Sequence, residues 1–345
     1  MSTSPAPISA PLGLRGGRLS RMAASPVLPF LGRRLLAAIP VLWGVTFLTF
    51  LTLNALPGDT AQQLLGANAT PEEVHQLSAK LGLDRPFLQR YLDWLHGVVT
   101  GDLGHSLVNG ESVTSTLIND LPVTFELIGF ALIVALLIAV AMALVAARRP
   151  NGIFDRVSMV LTMAGLSIAP YVLALLLVYV FAVKLNVLPA VGWTAPGDSL
   201  WGNIRSLILP ATALGLSLMC FYTRLLRADL IQQLSGEDYV VTARAKGAGP
   251  WRVLVRHTLR NSVFGLITIV ALNLGTLLGV TVIIEQIFGL PGIGRELLSA
   301  IDNRDVPVVE GAVLAFATVV IVANLLADLL YAALDPRIRY GDAGG

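Results

Sequence analysis

Charged side chains suited to binding a partner are concentrated in one segment, residues 236–261, with the sequence GEDYVVTARAKGAGPWRVLVRHTLRN. A long apolar run precedes this segment and another follows it. Its acidic and basic residues are Glu237, Asp238, Arg244, Lys246, Arg252, Arg256 and Arg260. Because hydrocarbon does not solvate such charges, we expect the 236–261 loop to face water and to bind a polar partner.

The glycines and the proline of the 236–261 loop predict two helices joined by a tight turn. Residues 239–246 suit a short helix, and Gly247 and Gly249 are expected to stop it. Pro250 suits the first turn of a second helix, where its missing N–H costs nothing. The loop is therefore predicted to be a helix-turn-helix lying beside the membrane.

Three arginines of the second predicted helix recur at four-residue spacing. Arg252, Arg256 and Arg260 are therefore expected to form one basic stripe. Lipid headgroups and acidic protein surfaces both bind arginine, so this spacing leaves both kinds of partner open.

The composition is that of a membrane protein. The chain has 345 residues, of which 55% are hydrophobic and only 13% are charged, and its mean hydropathy is +0.73. Soluble domains contain about 25% charged residues. The single cysteine, Cys220, excludes an internal disulfide, and the four histidines lack metal-ligand spacing, so no metal site is predicted.

Six apolar runs are long enough to cross a membrane. They are residues 35–56, 121–147, 157–183, 207–226, 263–287 and 308–334. Each must be helical, because lipid offers no hydrogen-bond partner to an unpaired backbone. We therefore predict an all-α integral membrane protein with six transmembrane helices, the first within residues 31–56. Residues 1–30, rich in Ser, Pro, Gly and Arg, and residues 341–345 are predicted to be tails.

The distribution of basic residues predicts the sidedness of the chain. Of its 24 Lys and Arg, 17 lie in the two ends of the chain (residues 1–34 and 335–345), the 148–156 loop and the 224–260 segment. The positive-inside rule therefore places both termini and the 236–261 loop in the cytoplasm. The 57–120 segment falls on the outside, and its tract PEEVHQLSAKLGLDRPFLQRYLDWLHGVV predicts two short helices. Thr70 is a plausible cap for the first helix, and Gly82 and Pro86 break the run.

Polar residues within the apolar runs are candidates for lining a pathway, because small and polar side chains mark the interior faces of membrane helices. The predicted pathway and gate residues are Ser167, Tyr171, Ser217, Asn273, Thr276 and Glu285, from a wider set that includes Ser158, Thr162, Tyr222 and Asn324. Ordinary helix–helix contact is the alternative for each of them. Pro170 and Pro210 are expected to kink helices. Glu285 is placed at the external mouth, beside the sequence FGLPGIG.

Several stretches resemble one family of transport proteins. In the 236–261 loop, Ala243, Gly247 and Leu259 match the cytoplasmic loop of binding-protein-dependent ABC importer permeases, and DYVVTARAKG with RHTLRN looks like their dipeptide, oligopeptide and nickel branch. The stretches at 33–59, 101–107 (GDLGHSL), 283–301 and 324–340 resemble the same branch. The loop departs from the general pattern in four places. These are Val241 for Glu, Thr242 for Ala, His257 for a hydrophobic residue and Arg260 for Pro.

The resemblance implies a type I importer permease fold, with residues 121–340 as the core and the 236–261 loop as its coupling loop. It implies a role as a B-type, dipeptide permease-like subunit of a bacterial plasma-membrane importer that takes up di- or oligopeptides. The partners implied are a second, C-type permease, two ATPase subunits that use ATP and Mg²⁺, an external binding protein and membrane lipid. No nucleic acid is expected.

The same resemblance assigns the ATPase-docking element to residues 238–249 and their neighbour at the start. The residues implied are Glu237, Asp238, Tyr239, Thr242, Ala243, Lys246, Gly247, Ala248 and Gly249. Since position 241 is valine, Glu237 or Asp238 is expected to make the acidic contact. The chain contains no GxxxxGKS/T phosphate-binding motif, so it is expected to bind no cofactor and to have no catalytic residues of its own.

Other functions fit parts of the same sequence. A nickel or other small-solute importer would share the branch, although nickel favours clustered imidazoles, which the chain lacks. A self-sufficient secondary transporter would need intramembrane acids as a proton relay, or inverted repeats. A membrane receptor or scaffold signalling through the 236–261 loop is a third class.

Overall fold

The computed structural model describes residues 27–55, 60–66 and 68–334, and these residues are helical almost throughout. The one β-type pairing among them is an isolated antiparallel bridge between His105 and Ser112. The prediction of an all-α protein is therefore confirmed. Most of the predicted 1–30 tail and all of the 341–345 tail lie outside the described residues.

The described residues form twelve helices, numbered here in chain order. They are α1 (Val27–Ala55), α2 (Thr60–Leu65), α3 (Pro71–Lys80), α4 (Phe87–Thr100), α5 (Val113–Arg148), α6 (Ile153–Ser167), α7 (Pro170–Lys184), α8 (Leu200–Gly236), α9 (Asp238–Ala245), α10 (Pro250–Phe288), α11 (Ile293–Asp302) and α12 (Val306–Leu334). Two stretches are π-helical, Val178–Lys184 at the end of α7 and Val253–Thr258 near the start of α10. Five helices are long and apolar enough to cross a membrane, namely α1, α5, α8, α10 and α12.

The predicted third crossing, residues 157–183, is not a single straight helix. It is divided into α6 and α7, which are bent by 100° relative to each other, so the chain has six crossings only if this pair counts as one. Ile168 and Ala169 are extended at the break, and Pro170 begins α7. Proline disfavours helical geometry in the residue before it, which explains the break. Pro210, by contrast, lies within the unbroken helix α8.

The principal helix contact is the seam between α5 and α8, which shapes the core. Alanines recur every fourth residue along α5 and are buried against neighbouring helices; they are Ala131, Ala135, Ala139, Ala143 and Ala147. Small side chains let membrane helices approach closely, and dispersion contacts then hold them together. Gly215 of α8 marks the closest approach, since a Cβ there would lie 2.9 Å from the carbonyl oxygen of Ala131.

A buried ion pair fixes α6 against α8. Arg227 donates from Nε and from its terminal nitrogen to the two carboxylate oxygens of Asp155, with the second bond measuring 2.6 Å. Asp155 is 2% exposed and also accepts a 2.8 Å bond from the backbone N–H of Asn151. Buried charges are tolerated when they are paired in this bidentate way, so the pair specifies how the two helices dock.

The predicted external module contains the two helices expected of it. Thr70 caps α3 in a reciprocal arrangement with Glu73, and α4 begins directly after Pro86. The GDLGHSL stretch then joins this module to the start of α12. There, the Ser106 hydroxyl and the backbone N–H of Leu107 both donate to the Asp305 carboxylate.

The α5–α8 seam yields a matched pair of test variants. Gly215→Ala places a methyl group against a backbone carbonyl, and overpacking of this kind costs about 1–3 kcal/mol. Gly129→Ala, on α5, meets no heavy atom within 4 Å and is expected to leave stability unchanged or raise it slightly, because alanine favours helix. Denaturant unfolding of the purified variants in detergent measures both effects. Equal stability of the two variants would contradict the close approach.

Candidate functional site

The helix α9 is a single short helix with defined ends. Glu237 is extended and precedes it, and Lys246 follows its last residue. The next residue, Gly247, has a φ of +82°, and its N–H donates to the carbonyl of Arg244 at 2.9 Å. Only glycine adopts this left-handed conformation without strain, so the chain reverses here. Pro250 then occupies the first turn of α10, as predicted.

One face of α9 is buried and the other is exposed. Val240, Ala243 and the π-helical residue Val253 are buried and form a small hydrophobic cluster together. Val241, one position away from Val240, is 64% exposed. The helix is therefore held to α10 by its inner face, and its outer face remains accessible.

A chain of polar side chains ties α9 to the two long helices on either side of it. The Tyr239 hydroxyl donates to Gln233 Oε1 at 2.6 Å. The Gln233 amide nitrogen donates in turn to Asp229 at 2.9 Å and to the Ser262 hydroxyl at 3.0 Å. Gln233 and Asp229 belong to α8, and Ser262 belongs to α10. Direct hydrogen bonds therefore connect α9 to both helices.

The structure separates the predicted docking residues into three groups by exposure. Those accessible on the outer face or in the turn are Glu237, Asp238, Thr242, Lys246, Gly247 and Gly249. Tyr239 and Ala248 are half-buried against the cluster, and Ala243 is buried within it. Ala243 and Tyr239 are thus placed to hold α9, whereas the exposed group is placed to contact a partner. The arginines of the predicted stripe, Arg252, Arg256 and Arg260, are all exposed.

The other predicted site residue with a defined environment is Glu285, near the end of α10. It is fully buried, and its carboxylate joins three helices. Oε1 accepts a 2.7 Å bond from the Thr124 hydroxyl of α5. Oε2 accepts bonds from the backbone N–H groups of Gly294, at 2.8 Å, and Arg295, at 3.2 Å. A carboxylate at these positions satisfies the otherwise unpaired N–H groups of the first turn of α11.

The two glycines of the sequence LPGIG make room for this carboxylate clasp, the set of hydrogen bonds that Glu285 accepts from α5 and α11. A Cβ at Gly292 would lie 2.5 Å from Glu285 Oε2, and one at Gly294 would lie 2.5 Å from the Cα of Val282. Neither position has space for a side chain. Gly292 and Gly294 lie at the start of α11, and glycine there lets the backbone approach the carboxylate.

Glu296, on α11, lies near two other acidic side chains. Burial raises the pKa of Glu296 above its usual range, and the nearby charges of Asp305 and Glu111 act in the same direction, opposed by Arg295. This glutamate therefore holds its proton to a higher pH in the folded protein than in the unfolded chain.

The remaining predicted pathway residues lie apart along the helices. Ser167 and Tyr171 flank the α6–α7 break and are exposed, and the Ser167 hydroxyl bonds back to the carbonyl of Met163. Asn273 of α10 donates to the Tyr222 hydroxyl of α8 at 3.4 Å. Thr276 is exposed, one turn further along α10, and Ser217 of α8 is half-buried.

Sequence reasoning did not find the partners of these residues. Nothing in the sequence connects Gln233 with Ser262, or Thr124 with Glu285, because these pairs are 29 and 161 residues apart. The usable signal is the cost of a charged side chain in an apolar run, which singles out Glu285 and Asp328 but names no partner for either.

Comparison with known proteins agrees with this architecture. The family model for the inner membrane component of binding-protein-dependent transport systems matches residues 135–340. A companion model for the N-terminal part of such membrane components matches residues 27–128. Between them the two models cover nearly all of the described residues.

Individual relatives extend over almost the whole chain. A dipeptide transport system permease protein of Alkalihalophilus pseudofirmus is 37% identical over 334 residues, covering 91% of this chain and all of the relative. The dipeptide transport system permease protein of Escherichia coli K12 is 36% identical, with 91% and 99% covered. A putative peptide transport system permease protein of Brucella abortus is 38% identical, with 89% and 98% covered. The chain therefore belongs to the family of binding-protein-dependent transport system inner membrane components, and it is a multi-pass membrane permease.

Proposed function

We propose that this chain is a permease subunit of an ATP-driven importer of di- and oligopeptides, and that α9 is its docking helix for a cytoplasmic ATPase. The observation that carries the proposal is the division of α9 into a buried inner face and an exposed outer face. A short helix fixed on one side and accessible on the other is suited to enter a groove on a partner.

The outer face of α9 has the chemistry of a protein contact. Glu237 and Asp238 present two acids at the start of the helix, and Val241 contributes an exposed apolar side chain between them and Lys246. Such a face, with an apolar centre and a charged rim, is typical of a protein interface. Lipid headgroups would favour a uniformly basic face, which is found instead along Arg252, Arg256 and Arg260.

The connections of α9 supply a route from the ATPase to the transport pathway. Closure of the ATPase subunits around nucleotide moves the docked helix, and the Tyr239–Gln233–Ser262 chain passes this movement to α8 and α10. These helices carry Ser217, Asn273 and Thr276, three of the predicted pathway residues. The mechanism is a rigid-body switch between two arrangements, biased by nucleotide.

The partners proposed are the ones that such a switch requires. A second permease of the C type completes the pathway, because one chain supplies only half of its walls. Two ATPase subunits bind and hydrolyse ATP with Mg²⁺, so this chain acts as a non-catalytic subunit. An external binding protein delivers the substrate. The assembly lies in the bacterial plasma membrane, with both termini in the cytoplasm, as the distribution of Lys and Arg supports.

Peptides are the substrate class best supported by the relatives, which are named as dipeptide or peptide transport permeases. The external binding protein is expected to make much of the choice among peptides. Adding each member of a peptide panel to the binding protein and measuring the rise in that protein's melting temperature identifies which peptide lengths are carried.

Reversing the acids of α9 tests the docking proposal. In the double variant Glu237→Lys, Asp238→Lys, we expect co-purification with the ATPase to fall about tenfold or more, because like-charge contacts at an interface cost several kcal/mol. The control Glu72→Lys, Glu111→Lys alters two exposed acids of the 57–120 segment and is expected to leave assembly unchanged. Normal assembly and normal ATP-driven uptake by the α9 variant would contradict the docking proposal.

Neutralising Glu285 tests a gating role for the clasp at the start of α11. In Glu285→Gln, the charge-assisted bonds to Gly294 and Arg295 become weaker, and each such bond contributes about 1.5–3 kcal/mol. We expect uptake to slow severalfold while the ATPase still co-purifies, since α9 is unaffected. Uptake at the full rate would rule out a gating role.

A further inference from the structure

A cavity of about 310 Å³ lies between the 57–120 segment and the first turns of α12. Side chains from α1, α3, α4 and α12 line it, and none of the residues predicted to form the pathway is among them. Its size falls at the small end of the range for ligand sites, roughly 300–1,000 Å³. The cavity is therefore large enough for a small solute and too small for a long peptide.

One of the residues lining this cavity is a buried carboxylate. Glu310 of α12 is 2% exposed, and its Oε1 has no hydrogen-bond partner among the described residues. Most buried polar atoms in proteins are hydrogen-bonded, and leaving a charged one unpaired is costly. Glu310 Oε1 is therefore available to accept a hydrogen bond from a ligand.

Arg90, a cation in the lining of the same cavity, does not donate a hydrogen bond to Glu310. Arg90 directs one terminal nitrogen to Asn54 Oδ1, at 3.0 Å, and its guanidinium carbon lies 5.5 Å from the centroid of the Phe50 ring. Burial lowers the pKa of Arg90, and the charge of Glu310 acts against that shift. The two groups therefore interact through their charges without a hydrogen bond between them.

The cavity also contains a buried donor and an exposed basic rim. The indole nitrogen of Trp94 is buried and has no acceptor among the described residues. Lys80 and Arg85 line the cavity and are exposed, and a terminal nitrogen of Arg85 forms an ion pair at 3.3 Å with the carboxylate of Asp93, which also lines the cavity. The cavity lining thus combines a buried acceptor, a buried donor and an exposed edge on which two basic side chains outnumber one acid.

We propose that this cavity is a binding site for a small zwitterion carrying a primary ammonium group. The ammonium group donates to Glu310 Oε1, a carbonyl or other oxygen accepts from Trp94 Nε1, and the anionic group faces Lys80 and Arg85. Among the buried side-chain atoms of the described residues, Trp94 Nε1 is the one donor without a partner, and it shares this cavity with the unpaired oxygen of Glu310. The site lies outside the pathway proposed above and does not depend on it.

Two sources present this chemistry. A dipeptide in solution combines an ammonium, an amide and a carboxylate within a small volume. The headgroup of phosphatidylethanolamine combines an ammonium with a phosphate. The headgroup of phosphatidylcholine has no N–H donor, so a membrane made of it provides a background without a competing ammonium donor.

The test is calorimetric titration of dialanine into the full-length chain, in the assembly in which it purifies, in nanodiscs of pure phosphatidylcholine. We expect saturable binding that N-acetyl-dialanine does not reproduce, because acetylation removes the ammonium group. Repeating the titration with phosphatidylethanolamine discs identifies the source. A weaker apparent affinity there indicates that the headgroup competes for the site, and an unchanged affinity indicates a soluble ligand.

Two variants localise the binding. Glu310→Gln is expected to raise the Kd for dialanine about tenfold or more, because a charge-assisted hydrogen bond is lost. Trp94→Phe keeps the ring and removes the donor, and is expected to raise the Kd severalfold. Glu111→Gln, on an exposed acid outside the cavity, serves as the matched control. The proposal is overturned if dialanine does not bind, or if it binds Glu310→Gln and Trp94→Phe as it binds the unaltered chain.

Discussion

The attachment of α9 to α8 and α10 is the interaction on which the proposed mechanism depends. Val240 and Ala243 bury the inner face of α9 against Val253, and Tyr239 reaches Gln233, which in turn reaches Ser262. A docking helix joined to the rest of the chain by a flexible loop alone would move with its partner without moving the membrane helices. Apolar packing and direct hydrogen bonds together make α9 and its neighbouring helix ends one mechanical unit.

The rest of the fold keeps that unit continuous with the opposite end of the molecule. The alanine face of α5 lies close against α8, and at Gly215 the two helices leave no space for a side chain. At the far end of α10, Glu285 joins α5, α10 and α11 through a buried carboxylate. Movement at α9 is thus expected to reach the start of α11 through packed helices.

Much of this architecture follows from local sequence. Apolar run length locates five of the membrane helices, and Gly247, Gly249 and Pro250 locate the turn after α9, because backbone chemistry there is decided within a few residues. Pro170 predicts a kink, but the size of the bend, 100°, does not follow from the sequence, because the apolar run continues through it. The Asp155–Arg227 pair joins residues 72 apart, and no local pattern specifies which distant side chains meet. The unpaired oxygen of Glu310 is visible only once α12 is packed against the 57–120 segment.

The central claim is that ATP hydrolysis by a partner, acting through α9, moves substrate across the membrane. Its most direct test is uptake of a labelled dipeptide into proteoliposomes that contain the chain, its partner permease and the binding protein. We predict uptake only when the ATPase subunits and ATP are both present on the side of the membrane that carries α9. Uptake driven by a proton gradient in the absence of ATP would contradict the account.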